Sequence, residues 1–100
     1  MKHIVLVCAN GMSTGALMNR MRAEAEKQGF ECTIDAYPVS QVQSQAASAD
    51  CILIGPQVRY ELDNVKNLCH GIPVSVIDMI AYGRLDGAKV LESAKALMGE

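Results

Sequence analysis

Cys8 ends the apolar run Ile4-Val5-Leu6-Val7 and opens Ala9-Asn10-Gly11-Met12-Ser13-Thr14-Gly15, after which a helical pattern begins. A thiol is thereby set at a strand-to-helix turn. Such a turn gathers backbone N–H groups around an anion, and the dipole of the following helix adds positive potential at the same place. Both effects favour a thiolate as nucleophile. A cysteine packed at the end of a core strand would be equally ordinary. Gly11, Ser13, Thr14 and Gly15, however, are poor core formers and good residues for a tight turn whose amides and hydroxyls face a ligand. The segment from Ala9 to Gly15 reads as an oxyanion or phosphate cradle for the Cys8 sulfur.

The chemistry of that cradle is narrowed by what it lacks. The phosphate loop of nucleotide hydrolases needs G-x-x-x-x-G-K-[ST], but Ala16 stands five residues after Gly11 and no lysine follows until Lys27. A tyrosine-phosphatase cradle, with Cys followed by five residues and Arg, would place Arg at position 14, where this chain has Thr14. Without a guanidinium the charge of a hydrolytic transition state loses its bidentate partner. Asp35 and Asp78 lie near strand ends and are candidates for leaving-group acids, although solvated or capping carboxylates are the commoner use of such positions. A thiolate that accepts and holds a phosphoryl group, with little to activate water, suits a carrier.

The remaining cysteines, Cys32, Cys51 and Cys69, fall in apolar strand or helix patterns, as inert core thiols do. There is no C-x-x-C pair, and Cys69-His70 is the only adjacent pair of soft ligands, so neither disulfides nor a metal site is expected. No cofactor is called for.

The elements that position the cradle follow from periodicity. Residues 3 to 8 form a short, continuous aliphatic strand suited to burial. Leu17, Met18, Met21 and Ala25 repeat at helical spacing from Ser13 to Gln28, before Gly29. Residues 31 to 37 alternate as a half-wet edge strand closed by Pro38. Ser40 is placed as the cap of a weak helix running to about Ala47. Cys51-Ile52-Leu53-Ile54 is a second apolar strand, turned by Gly55-Pro56-Gln57 into a helix that carries Val58, Leu62, Val65 and Leu68 and ends near His70-Gly71. Pro73 to Ile77 is a short fourth strand, residues 78 to 83 a loop, and Asp86 the cap of a last helix bearing Val90, Leu91, Ala94, Leu97 and Met98. Alternation of this kind predicts an α/β fold, a single three-layer domain over residues 1–100 whose four-stranded parallel sheet has order 2-1-3-4, helices on both faces and a phosphate-binding loop after the first strand. Chain direction reverses between strands 1 and 3. Ligands in such sheets bind at the carboxyl ends beside that point, where both the Cys8 loop and Gly55-Pro56-Gln57 fall.

The 100 residues are 50% hydrophobic and 20% charged, with net charge −2. The charges are scattered, and three Tyr with one Phe make no stacking platform, so nucleic acid is not an expected partner. No apolar run approaches the roughly 20 residues of a membrane span, and the start lacks the features of a signal peptide. A cytoplasmic protein without direct membrane insertion is expected.

The motif C-x-x-G-M-S-T after a hydrophobic strand, carried here by Cys8, Gly11, Met12, Ser13 and Thr14, resembles the IIB component of the sugar phosphotransferase system, lactose/cellobiose (chitobiose) type. Gly55-Pro56-Gln57 with Tyr60, Val76-Ile77-Asp78, Tyr82-Gly83 and Asp86-Gly87 extend the resemblance over nearly the whole chain. It implies a four-stranded parallel sheet and a phosphocysteine at Cys8 that is loaded from a phosphohistidine on the IIA component. The resemblance further implies delivery to a sugar bound by the membrane IIC component, expected to be a β-linked disaccharide such as cellobiose, chitobiose or lactose. Gly15 departs from a second hydroxyl residue common there, leaving only an amide. Gln57 is a candidate side-chain donor at the neighbouring loop. Tyr60 and Tyr82 are candidates to line the crevice, and Met12, Tyr60, Met79 and Tyr82 to form a rim for a partner protein, with inward packing of Met79 and Tyr82 as the competing reading. Two other readings use the same loop: a low-molecular-weight phosphatase or arsenate-reductase-like thiol enzyme, against which Thr14 counts, and a non-catalytic anion-sensing regulatory module.

Overall fold

The structure is a computed structural model that describes residues 1–8 and 12–100, with the side chains of Met12 and Ser13 left aside. Strand β1 (Lys2–Cys8) is followed by α1 (Met12–Gln28), β2 (Cys32–Pro38), α2 (Val39–Gln45) and β3 (Cys51–Ile54). A 3-10 segment (Pro56–Glu61) leads into α3 (Leu62–Leu68), then β4 (Val74–Val76), α4 (Met79–Gly83) and α5 (Gly87–Met98). All strand pairings are parallel, in the order β2-β1-β3-β4. Register sets Cys8 beside Pro38 on β2, and Val7 beside Ile54 on β3.

The two central strands are aliphatic on both sides because each face is covered. Ile4, Leu6 and Leu53 face Leu17 and Met21 of α1 and Val90, Leu91 and Ala94 of α5. Val5, Val7, Ile52 and Ile54 face Val42 of α2 and Val65 of α3. Two apolar layers, each removing hydrocarbon from water, hold three layers of secondary structure together. Edge strand β2 keeps the expected half-wet character: Ile34 is buried while Thr33 is exposed.

Four local expectations are corrected. Ser40 is not the cap of α2, which starts at Val39 directly after Pro38 (φ −68°, ψ 158°) and ends at Gln45. Proline's fixed φ lets strand pass into helix without a capping side chain, and Val42 with Ala46 gives the helix its buried face. The chain after Gly55 does not enter an α-helix at once. Pro56 has no N–H to give, Val58 donates to the Gly55 carbonyl at 3.0 Å, and Val58 is itself off helical geometry (φ −120°, ψ 27°) before α3 begins at Leu62. That helix stops at Leu68, short of His70. Residues 79–83, expected as loop, form α4, capped by an Asp78 carboxylate that accepts from the Ala81 N–H at 2.9 Å. Asp86 caps α5 as expected, accepting from the Lys89 N–H at 3.1 Å.

Candidate functional site

Cys8 is the last residue of β1, at the carboxyl edge of the sheet, with α1 beginning at Met12. Its side chain is 6% exposed, and its thiol donates to the Tyr37 carbonyl of β2 across 3.9 Å. The cradle residues Ala9, Asn10 and Gly11 lie outside the described residues, as do the side chains of Met12 and Ser13; the expected phosphate loop is therefore bounded here by Cys8 on one side and Thr14 on the other. Thr14 is buried, and its hydroxyl lies 3.4 Å from that of Tyr82. Gly15 is partly buried, and among the described residues no neighbour stands within 4 Å of where its Cβ would be.

The second wall comes from the end of β3. Gly55 donates to the Val7 carbonyl at 2.8 Å, which continues the β1–β3 pairing by one residue. A Cβ there would meet that carbonyl oxygen at 3.3 Å, the Gln57 side-chain oxygen at 3.6 Å and the Tyr82 ring at 3.9 Å. Gly55 is thus the residue that lets the β1 end, Gln57 and Tyr82 come together. Beside them lies a cleft of about 270 Å³ lined by Pro56, Gln57, Arg59, Met79, Tyr82 and Gly83. Larger grooves of about 590 and 580 Å³ lie along α1 and α5 and beside β4. Among the described residues, neither is lined by Cys8, Thr14 or the Gly55–Gln57 turn; the smaller cleft shares Pro56 and Gln57 with that turn and Tyr82 with the Thr14 contact, although Cys8 itself does not line it.

The expected rim residues divide by burial. Tyr60 is 76% exposed and Met79 61% exposed, whereas Tyr82 is packed inward at 7%. Met79 thus stands outward on α4, and Tyr82 combines inward packing with a place in the cleft wall. Two residues escaped the sequence reading. Ile80 is 67% exposed next to Met79, and the error of reading 78–83 as loop hid it: on a helix, 79 and 80 both turn outward while 81 and 82 turn in. Arg59 brings a cation to the cleft, its guanidinium donating to the Pro56 carbonyl at 3.3 Å, and no spacing in the sequence marked it. The Asp35 carboxylate pairs with the His3 ring nitrogen at 3.0 Å, joining β1 to β2. Asp78 is occupied as a cap.

The other thiols differ from one another. Burial pushes the Cys51 thiol up to about 12, with the Asp50 carboxylate adding to it, and burial also raises Cys69. Cys32, expected to be a core thiol, is only half-buried because edge strand β2 leaves that position open, though partial burial still raises it. None of the four cysteines is in a disulfide. Among the described residues no helix is long and apolar enough to cross a membrane.

The model of the lactose/cellobiose-specific IIB subunit of the phosphotransferase system matches residues 3–93 of this chain. The oligo-beta-mannoside-specific EIIB component of that system from Bacillus subtilis (strain 168) is 39% identical over 100 residues, covering 98% of this chain and 97% of its own. Among solved structures, the cellobiose-specific phosphotransferase IIB component from Borrelia burgdorferi superposes with a TM-score of 0.83 at 31% identity, over 98% of this chain and 92% of that one. The lactose-specific IIB component domain from Streptococcus pneumoniae superposes with a TM-score of 0.84 over 95% of both chains; at 18% identity it speaks to the fold alone.

Proposed function

The chain belongs to the lactose/cellobiose-specific IIB family of the sugar phosphotransferase system, and from that premise we propose that Cys8 is the atom carrier of its reaction. As a member it is a phosphotransferase that carries a phosphoryl group to a sugar, in company with IIA and IIC components. In the proposed cycle the Cys8 sulfur attacks the phosphorus of a phosphohistidine on the IIA component in line: the S–P bond forms as the N–P bond breaks and the imidazole leaves. A sugar hydroxyl held by the IIC component then attacks the same phosphorus, the O–P bond forms, and the sulfur departs as thiolate. Backbone amides from Ala9 to Gly15 receive the phosphoryl oxygens, with the Ser13 hydroxyl assisting; the Thr14 hydroxyl, expected to assist as well, is buried against that of Tyr82. The sugar is assigned to the β-linked disaccharides, the class of cellobiose, chitobiose or lactose, and the protein to the cytoplasm.

The observation that carries this reading is the position of Cys8 at the carboxyl end of a central strand, between two neighbours reached in opposite chain directions and four residues before a long helix. Thr14 in place of a cradle arginine favours holding the group over hydrolysing it. The donor's docking surface is assigned to Tyr60, Met79 and Ile80 beside the cleft, together with Met12, whose side chain lies outside the described ones. Tyr60, Met79 and Ile80 are large, largely exposed side chains, which supports a small transient interface there. Incubation with phosphoenolpyruvate and the upstream donor proteins, followed by intact-mass and peptide analysis, tests the assignment. One phosphoryl group on Cys8 is expected, and none on Cys8→Ser. A phosphoryl group mapped to another residue would reject it.

A further inference from the structure

One buried polar contact ties the first turn of α1 to the cleft wall. Thr14 is the third residue of α1, 1% exposed, and its hydroxyl oxygen is 3.4 Å from that of Tyr82, which is 7% exposed on α4. For packing alone, Val at 14 and Phe at 82 would fill the same space, and neither would bring a hydroxyl into a layer made of Leu17, Ile77, Ala81 and Val90. Burying a hydroxyl is tolerated where it finds a polar partner, and the contact between these two fixes the approach of α1 to α4 at that point. The first turn of α1 is also where backbone N–H groups have no partner within the helix, and it follows the Cys8 loop directly. Tyr82 meanwhile packs its ring over Gly55, the residue bonded to Val7 just before Cys8. One side chain therefore touches both arms that flank the thiol.

We propose that the Thr14–Tyr82 hydroxyl pair is a positioning device for phosphoryl transfer. It pins the amide-bearing first turn of α1 against α4 and the Gly55 turn, so that the donors meet the phosphoryl oxygens without rearranging. The proposal rests on the reading of Cys8 as carrier, and it makes Tyr82 a positioning residue that acts through Thr14. At 3.4 Å the pair is longer than the 2.7–2.8 Å usual for hydroxyls, so its contribution is read from transfer rates and not from its length.

The test is quenched-flow phosphoryl transfer from phosphorylated IIA component at varied donor concentration. It compares the wild type with Tyr82→Phe, Thr14→Val, the double variant and Thr14→Ser, each checked for a cooperative thermal transition. Each single variant is expected to lower the saturating rate about tenfold with the donor KM within about twofold, because geometry and not encounter is lost. The double variant falls no further than the lower single, since either change already breaks the pair. Thr14→Ser, which keeps the hydroxyl, stays within about threefold of wild type. Wild-type rates in both single variants, effects that multiply in the double, or changes confined to KM would overturn the proposal. If Tyr82→Phe does not fold, Thr14→Val against Thr14→Ser decides it. Unchanged rates with the group mapped to Cys8 overturn the pair alone, whereas a group mapped elsewhere overturns the carrier assignment as well.

Discussion

Replacing Gly87 by alanine sets helix propensity against sterics, and the geometry decides the sign. Gly87 is the buried first residue of α5, placed where the helix begins against the flank of α1. A Cβ there would lie 2.5 Å from the Arg20 carbonyl carbon, 2.6 Å from the Met21 nitrogen and 2.7 Å from the Arg20 Cβ. Two of those atoms are backbone and cannot rotate aside. Restoring ordinary contact at about 3.5 Å moves the start of α5 outward by about 1 Å, and a gap of that size forfeits a quarter to a half of each dispersion contact along the seam. Overpacking by itself costs about 1–3 kcal/mol. The loosened contacts of Val90, Leu91 and Met21 add to this, while alanine's advantage in a helix returns at most about 1 kcal/mol. A net loss of about 1–3 kcal/mol follows, which in a domain of this size lowers the melting temperature by roughly 5–20 °C. Thermal and urea unfolding followed by far-ultraviolet circular dichroism measure it. Gly15→Ala is the internal contrast: among the described residues nothing beyond its own helix backbone lies within 4 Å of its Cβ position in α1, so it should stabilise by up to about 1 kcal/mol. A Gly87→Ala protein melting within about 2 °C of wild type would refute the steric reasoning.

With Cys51 held protonated up to about 12 by burial and by Asp50, the unfolded chain loses that proton near its ordinary value of 9 while the folded one keeps it. Stability should therefore fall as pH rises from 9 towards 12, by at most about 1.4 kcal/mol per unit from this group, and urea midpoints in Cys51→Ala should show a shallower slope; an equal slope would dismiss the cause. Iodoacetamide at neutral pH should leave Cys51 and Cys69 unmodified until the protein unfolds, with half-buried Cys32 reacting before either, as peptide mapping of timed samples will report; modification of Cys51 as fast as Cys32 would contradict the burial. Met79→Asp and Ile80→Asp should each raise the donor KM more than tenfold, about 1.4 kcal/mol or more at the encounter, with melting unchanged, and wild-type KM in both would remove α4 from the docking surface. Asp78→Ala should cost about 0.5–2 kcal/mol through the lost cap, read by urea unfolding, and a loss below that range would mean the cap contributes little.

Much of the framework was legible in the chain because it depends on patterns a few residues long. Unbroken aliphatic runs at 4–7 and 51–54 marked the strands that would be covered on both faces, and alternation at 32–37 marked an edge, so the strand order followed from burial alone. The place of Cys8 was legible for the same reason: a thiol at the end of an aliphatic strand, followed within seven residues by Gly11 and Gly15, is a local pattern. Elements of five to seven residues were not, because their stability comes from what they touch. Nothing within 79–83 has enough helical period to stand alone, and α4 exists because Ala81 and Tyr82 bury against the layer under α1 while Asp78 caps it. The same holds for the pairs that only folding creates. Thr14 and Tyr82 are 68 residues apart, and Gly87 owes its need for a bare Cα to the backbone of Arg20 and Met21. In the sequence, Tyr82-Gly83 and Asp86-Gly87 were marks of family resemblance. Tertiary structure made them a hydroxyl partner and a helix crossing, because distance in space, unlike periodicity, is not written in neighbouring residues.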